Sequence, residues 1–541
     1  MPDAKARSHD GRDAPVVSIE RISLEEESMQ IAAVCKRLRL GWTDPVLRAN
    51  VLALIGGKAI GLVLVLAAMG VFIAPAVHAD AGGPTPTINA INTAWTLIAA
   101  FLVFGMQVGF VMLEAGFARS RESINIVVEG IVDTCICGVT FWAWGFAFMF
   151  EPGNGFIGTT GFFLRGLADT YGTTGVPLLA FWVFQFAFAD TCSTITSGAM
   201  VGRCGFVGDI LYSVGVTGFV YPIVGHWAWG PDGWLATMQP LAFRDFAGST
   251  VVHSIGGAIS LAGAVALGPR LGRVFARDGG GPMPPHNVIL GAVGGLILWF
   301  GWYGFNPGST LSAMDAIGIG RVSFNTTLAA CSAGLAALFY GYVKTSKWDL
   351  GITTNGFLAG LVAITCPCYW VSPTGAFFIG IIAGFVVVYA TDLLEFLRID
   401  DPIGAVPVHM ACGIWGTLSL GLFATGQFGL PSPTGVDTST LVKGLFYGGG
   451  MAQLTSQAIG SGAITLATLL AAAVLMYAVK ATGTLRVSKA GEIEGLDVHE
   501  HGLSAYPEFS VHGSPSLTPA PSHAMSMQSM SNPVPSPATL K

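Results

Sequence analysis

The chain has 541 residues, of which 52% are hydrophobic, only 11% are charged and 73 are glycine. Soluble proteins carry about twice that share of charge, so the composition excludes a soluble globular protein and points to a chain that crosses a membrane many times. A formal net charge of −6 is too small to imply nucleic acid as a partner.

Residues 1–50 are polar and lack a persistent period, and are read as an N-terminal extension. Lys58 then precedes the apolar run Ala59–Ile73, with Pro75 and Val77-His78-Ala79 behind it. A basic flank, a short apolar run and small residues at a cut describe a secretory signal over 51–79. On that reading the mature chain begins near Asp80, outside the cytoplasm. Eleven runs follow that can cross a hydrocarbon core of about 30 Å, each near the ~20 residues this needs. They cover roughly 91–117, 123–150, 177–200, 206–228, 246–268, 287–306, 322–343, 351–370, 374–397, 403–425 and 454–480.

With an external start, the cytoplasmic loops hold Arg119, Arg121, Arg203, Arg270, Arg273, Arg277, Lys344, Lys347 and Arg398. The external loops hold only Arg165, Arg244, Arg321 and Lys443. That asymmetry obeys the positive-inside rule. The predicted fold is therefore an all-α polytopic membrane protein with its N-terminus outside and its C-terminus in the cytoplasm. A polar segment, 481–509, leads into a Ser-, Pro- and Met-rich stretch over 510–541 whose composition predicts disorder. Cys135 and Cys137 lie two apart inside an apolar run, as do Cys366 and Cys368. Such spacing turns the two thiols to different helix faces, so no metal or disulfide is expected.

One pattern occurs twice. DFAGSTVVH runs from Asp245 to His253 and DPIGAVPVH from Asp401 to His409. Aligned on the aspartates, the segments share Gly248 with Gly404, Val252 with Val408, the two histidines, and Gly257 with Gly413. The first opens its span from outside, the second from inside. Eight residues at 1.5 Å each carry each histidine ~12 Å inward, so both fall near the midplane from opposite faces. Spans one to five and six to ten are accordingly expected to be inverted repeats, a design that places transporter sites at mid-membrane.

Ionisable residues at that depth are costly and usually functional. Burial disfavours a charged imidazole. Two adjacent neutral rings each offer one donor and one acceptor, a lining suited to a small neutral molecule that gives and takes hydrogen bonds, or to a proton relay. Trp229 follows the fourth span, Phe188 lies in the third, and Phe305 and Ser309 belong to the sixth. An indole face beside a hydroxyl can hold a small cation by cation–π attraction and a hydrogen bond. Asp245 is placed to cap its helix and to set the local field. No nucleophile–base or metal constellation accompanies these residues, so an enzyme is not expected.

DFAGSTVVH, FGWYGFNPGS, HWAWGPDGW and GLDVHEHGLSAY, in that order, resemble the ammonium transporter (Amt/Mep) family over about residues 90–509. The resemblance implies a homotrimer of eleven-helix protomers, each with its own narrow pore, in the cytoplasmic (inner) membrane. It implies that His253 and His409 are twin pore histidines and that Asp245 is the family's acidic residue. Trp229, Phe188 and Ser309 match an external ammonium-recruitment site, and Phe188 with Phe305 a phenyl gate. Trp229 favours the Amt branch over Rh-type relatives. A PII-type signal protein is a further partner that the resemblance suggests, on the cytoplasmic face, where 481–509 would form an ordered regulatory tail. Gly404, Val201-Gly202-Arg203 and Leu503 depart from the family's usual residues, which bears on packing at that face and on regulation by the tail. The expected function is ammonium transport in which ammonia passes the histidines after losing its proton. The alternatives are an ammonium sensor and a passive channel for ammonia or carbon dioxide.

Overall fold

The computed structural model describes residues 84–509. The N-terminal extension, the signal segment 51–79 and the stretch 510–541 therefore lie outside the described residues. Among the described residues ten helices are long and apolar enough to cross a membrane. They are α1 (Pro86–Phe117), α2 (Ser120–Phe150), α3 (Leu178–Gly198), α4 (Phe206–Trp229), α5 (Ser249–Leu267), α6 (Val288–Gly308), α7 (Ala316–Thr345), α9 (Pro373–Leu397), α10 (Val406–Phe423) and α11 (Ala452–Ala481). Between them α8 (Leu350–Thr365) is apolar but has 16 residues, or ~24 Å of helix. The run expected over 351–370 ends early because Cys366 to Trp370 leaves the helix as turns. Two short helices close the described chain, α12 (Lys489–Glu494) and α13 (Leu496–His501).

Helix starts follow local chemistry. Asp315, Asp349 and Ser372 each accept a backbone N–H from the first turn of α7, α8 and α9, which satisfies one of the otherwise orphaned donors. Ser346 and Arg398 end α7 and α9 in the left-handed region. The loops carry two small features that hydrophobic runs do not announce. Gly153–Asn154 pairs with Ile157–Gly158, and Leu430–Ser432 pairs with Gly435–Asp437, as antiparallel hairpins.

The helices approach closely where glycine lines the contact. A Cβ on Gly116 of α1 would lie 2.2 Å from the Gly291 nitrogen of α6. Lipid offers little hydrophobic drive between helices, so such close backbone packing carries much of the association.

One face of the bundle bears the segment after α11. Arg121 donates to the Ile493 carbonyl at 2.8 Å, and the Asn125 amide to Asp497 at 2.9 Å. Tyr506 meets His286 at 2.9 Å. Buried nearby, Arg270 forms a two-pronged ion pair with Asp400 at 2.8 and 2.9 Å, and Arg203 donates to the Asp400 carbonyl at 2.6 Å. Burial alone would raise the Asp400 carboxyl, but Arg270 and Arg203 hold it below the ordinary carboxylate range. Burial lowers Arg203 to about 10. The arginine of Val201-Gly202-Arg203 is thus anchored on carbonyl oxygens of Gly268, Val201 and Asp400. This is the tail face, and the opposite one is the vestibule face.

Candidate pore site

The two repeated segments adopt one local structure. Asp245 accepts four backbone N–H groups, from Gly248, Ser249, Thr250 and Val251, at 2.8 to 3.0 Å. Asp401 accepts three, from Gly404, Ala405 and Val406, at 2.8 to 3.1 Å. Burial still pushes both carboxyls above the ordinary range, and the amide donors oppose it. Gly248 and Gly404 turn the chain with φ of 114° and 85°, a region costly for any residue with a Cβ. Each helix then begins with a widened π-helical stretch, Ser249–Ser254 and Val406–Ala411. Such stretches are rare and concentrate at functional sites. Each contains its histidine.

The two stretches interlock. A Cβ on Gly257 would lie 2.4 Å from the Met410 nitrogen, and one on Gly413 would lie 2.3 Å from the Ser249 carbonyl and 2.5 Å from the Ser254 hydroxyl. Each glycine is four residues past its own histidine and rests on the other histidine's neighbour. Thr250 and Thr417 join the helices at 2.5 Å.

From the vestibule face inward the rings form a file. A cavity of about 290 Å³ is lined by Trp229, Phe188, Ser309, Gln185, Phe246 and Tyr171 among others. Trp229 is half-buried at the end of α4 and its indole N–H donates to the Asp245 carbonyl at 2.8 Å. The ring face, not the N–H, is therefore what it can offer a cation. Ser309 caps α6 and donates to the Phe305 carbonyl at 2.8 Å, which leaves its oxygen free to accept. Below the cavity Phe188 and Phe305 stack with centroids 4.0 Å apart at 24°. Phe305 lies 5.4 Å from His253, and His253 lies 5.2 Å from His409. The two Nδ1 atoms are 3.1 Å apart. That contact needs one ring protonated on Nδ1 and the other not, since two imidazoliums would set N–H against N–H.

Every residue expected from the sequence lies along this file or caps it. Three further residues belong to it. Trp302 is fully buried, stacks on His253 at 5.1 Å and 19°, and donates to Thr365 at 2.9 Å. Its position three before Phe305 puts both on one helix face, which was the available signal. Phe110 lies 6.5 Å from His409. With Glu114 it lines a cavity of about 20 Å³ on the tail side of that ring. Nothing periodic marks Phe110 or Glu114, because α1 is apolar all round. By contrast His226, in HWAWGPDGW, sits between the carbonyls of Met149 and Asn154 at 3.0 and 2.9 Å and pins a loop.

Among the described residues no cluster of His, Cys, Asp and Glu has the arrangement of a metal site.

Comparison with known proteins agrees with this architecture. A family model described as Ammonium Transporter Family matches residues 94–506. Ammonium transporter Amt2 of Archaeoglobus fulgidus is 41% identical over 430 residues, covering 77% of this chain and 89% of its own. Ammonium transporter 1 member 3 of Solanum lycopersicum is 36% identical over 444 residues, 79% of this chain and 95% of its own. Among solved structures, a Sensor Amt Protein superposes with a TM-score of 0.69 at 37% identity, covering 77% of this chain and 99% of that one. Mep2 of Candida albicans gives 0.68 at 28% identity, covering 78% and 91%. On a family match of this extent and relatives this similar, the chain belongs to the Ammonium Transporter Family.

Proposed function

We propose that this ammonium transporter recruits ammonium against the Trp229 ring, with Phe188 and Ser309 completing the site, and strips its proton at the Phe188–Phe305 gate. Ammonia then passes His253 and His409 to the tail side, and the proton crosses separately. The observation that carries this reading is the 3.1 Å contact between two buried imidazoles directly below stacked phenyl rings. A file of that kind holds a neutral molecule and gives a bare cation almost no oxygen. Potassium is close to ammonium in size, and the Trp229 ring alone discriminates poorly between them. Potassium has no proton to surrender, and carrying it bare costs at least several kcal/mol of desolvation. Ammonia escapes that cost.

The same reading takes α8 as the eighth of eleven spans, and spans one to five and six to ten as inverted repeats. The matched caps, widened turns and reciprocal glycine contacts of α5 and α10 support the repeat. The arginines of the tail face, Arg119, Arg121, Arg203 and Arg270 among them, support a cytoplasmic tail and an external vestibule. A homotrimer in the cytoplasmic membrane, with 481–509 as a regulatory tail that a PII-type protein could engage, completes the proposal. Sensing is a second reading, favoured by the likeness to a chain titled Sensor Amt Protein. A passive gas channel is the third.

The test is ion flux in liposomes holding wild type, His253→Asp or His409→Asp. A carboxylate at the file supplies about 4 kcal/mol of attraction to a cation 4 Å away at an effective dielectric near 20. Both variants should gain potassium flux, by about tenfold for each ~1.4 kcal/mol of barrier removed. Unchanged potassium exclusion in both would remove the histidines as the selectivity element. Current on an ammonium pulse separates transport of charge from a silent gas channel.

A further inference from the structure

Five carboxyl groups are buried in the interior shared by α1 to α4: Glu114, which borders the histidine file, and Glu129, Asp133, Asp190 and Asp209, which lie apart from it. Each is at most 4% exposed, and none forms an ion pair with Lys, Arg or His among the described residues. Five uncompensated charges in one dry interior are not affordable, so several of these acids carry protons. A protonated carboxyl both donates and accepts, which an ionised one cannot do.

The acids are linked. Thr134 donates to Asp190 at 3.0 Å, and Asp133, which feels the Asp190 charge, accepts from Ser213 at 2.6 Å. Asp133 and Asp209 face each other, each with one oxygen that no N–H or O–H reaches. A single shared proton completes that pair. Glu129, one turn nearer the tail face, meets Asn125. The Asn125 oxygen lies 3.0 Å from His501 of α13. Along α2, Asp133 is thirteen residues and Glu129 nine residues from the Ser120 end, or ~20 and ~13 Å deep. Asp190 lies two residues past Phe188, at the depth of the gate.

A second observation lies at the gate end. The Tyr221 hydroxyl is fully buried and has no hydrogen-bond partner. It is set among Asp245, Cys137 and Cys192, and Cys137 in turn neighbours Asp190 and Asp133. A lone buried hydroxyl is expensive.

We propose that these acids form a proton lane, parallel to the histidine file, from gate depth at Asp190 through Asp133 and Asp209 to Glu129 and Asn125 at the tail face. Ionisable chains inside membrane bundles commonly serve as proton relays. The inference rests on the deprotonation reading above. In the step, one N–H bond of ammonium breaks and its electron pair stays on nitrogen. Ammonia leaves along the histidines. The proton bonds to an Asp190 carboxylate oxygen and moves on to the Asp133–Asp209 pair. The pair passes a proton to Glu129, one turn away on the same face of α2, and Glu129 releases one to water at the tail face. Each cycle then delivers one ammonia and one proton, hence one positive charge.

The experiment uses the full chain in liposomes, with an ammonium pulse and two readouts, transmembrane current and lumenal pH. Variants are Asp190→Asn, Asp133→Asn and Glu129→Gln, with Asp133→Glu as the conservative rescue. A blocked lane should cut the current by about tenfold or more, while ammonia entering without its proton makes the lumen more alkaline than in protein-free liposomes. Asp133→Glu should recover current. Wild-type current in all three variants overturns the lane. Loss of both current and alkalinisation in all three also overturns it, because the acids would then serve only the structure. If wild type alkalinises the lumen without current, the deprotonate-and-carry reading itself fails, and the lane falls with it.

Discussion

The two pore segments share a backbone device and differ in their walls. Asp245 holds four amides and, through its own carbonyl, the indole of Trp229. Asp401 holds three amides and no aromatic ring. His253 is sealed between Trp302 and Phe305, whereas His409 opens towards the small cavity with Phe110 and Glu114. The repeated residues thus build the same turn, cap and ring position twice, and the unrepeated residues set an aromatic-walled cavity at one end and a small cavity with Phe110 and Glu114 at the other.

The sharpest way to break that comparison is to weaken each cap. Asp245→Asn replaces one accepting oxygen by a donor and leaves at least one buried amide unpaired, at a cost of about 2–3 kcal/mol. Asp401→Asn disturbs a smaller set and should cost about 1 kcal/mol less. Thermal unfolding in detergent should order wild type above Asp401→Asn above Asp245→Asn. Equal losses would mean that the caps are interchangeable.

The glycines give the next contrast. Alanine at Gly248 would strain φ and set a Cβ 2.6 Å from Val252 and 3.2 Å from Trp229. At Gly404 the tightest contact is the flexible end of Asn355, at 2.7 Å. Gly248→Ala should therefore cost about 2 kcal/mol and Gly404→Ala about 1 kcal/mol, read by the same unfolding measurement.

Trp229→Leu removes one cation–π face, worth about 1–2 kcal/mol when partly desolvated. The concentration for half-maximal ammonium current should rise about tenfold with no gain in potassium flux. A gain would place selectivity at the vestibule instead.

The smallest effect concerns Glu151, which sits just past α2 and whose charge is felt by Tyr171 in the vestibule wall. Burial pushes its carboxyl up to about 7. Folding thus favours the protonated acid. Stability contributed by this group falls as pH rises from the ordinary carboxylate range towards 7 and is level above it. Ionisation near neutral pH also adds a charge that attracts ammonium, so apparent affinity should tighten about twofold across that range. Glu151→Gln should flatten the change in half-saturation, after correction for the ammonium fraction.

Much of this was legible in the sequence because membrane helices announce themselves by length and because the Asp-to-His segment occurs twice. The aromatic file was readable from residues at helix ends, namely Trp229 and Ser309, and from Phe188 and Phe305. What escaped lies where composition carries no period. Phe110 and Glu114 sit on a helix apolar on every side, and α8 stops short where the chain turns at Cys366. Glu129 and Asp133 lie on α2, Asp190 on α3 and Asp209 on α4, and only the packing of these three spans brings the acids together. Arg203 read as a loop charge, yet it is buried against Asp400 because the chain from α9 folds over it.

The reciprocal seats of Gly257 and Gly413 have a mechanical meaning. At that crossing, main chain bears on main chain, with only the short Ser254 hydroxyl and the Met410 Cβ beside it. Packed interiors yield little, and backbone in direct contact yields least. The separation of the two histidines is therefore held by a rigid joint instead of by soft packing. Stretching or thickening of the surrounding bilayer should bend the outer helices long before it changes the bore.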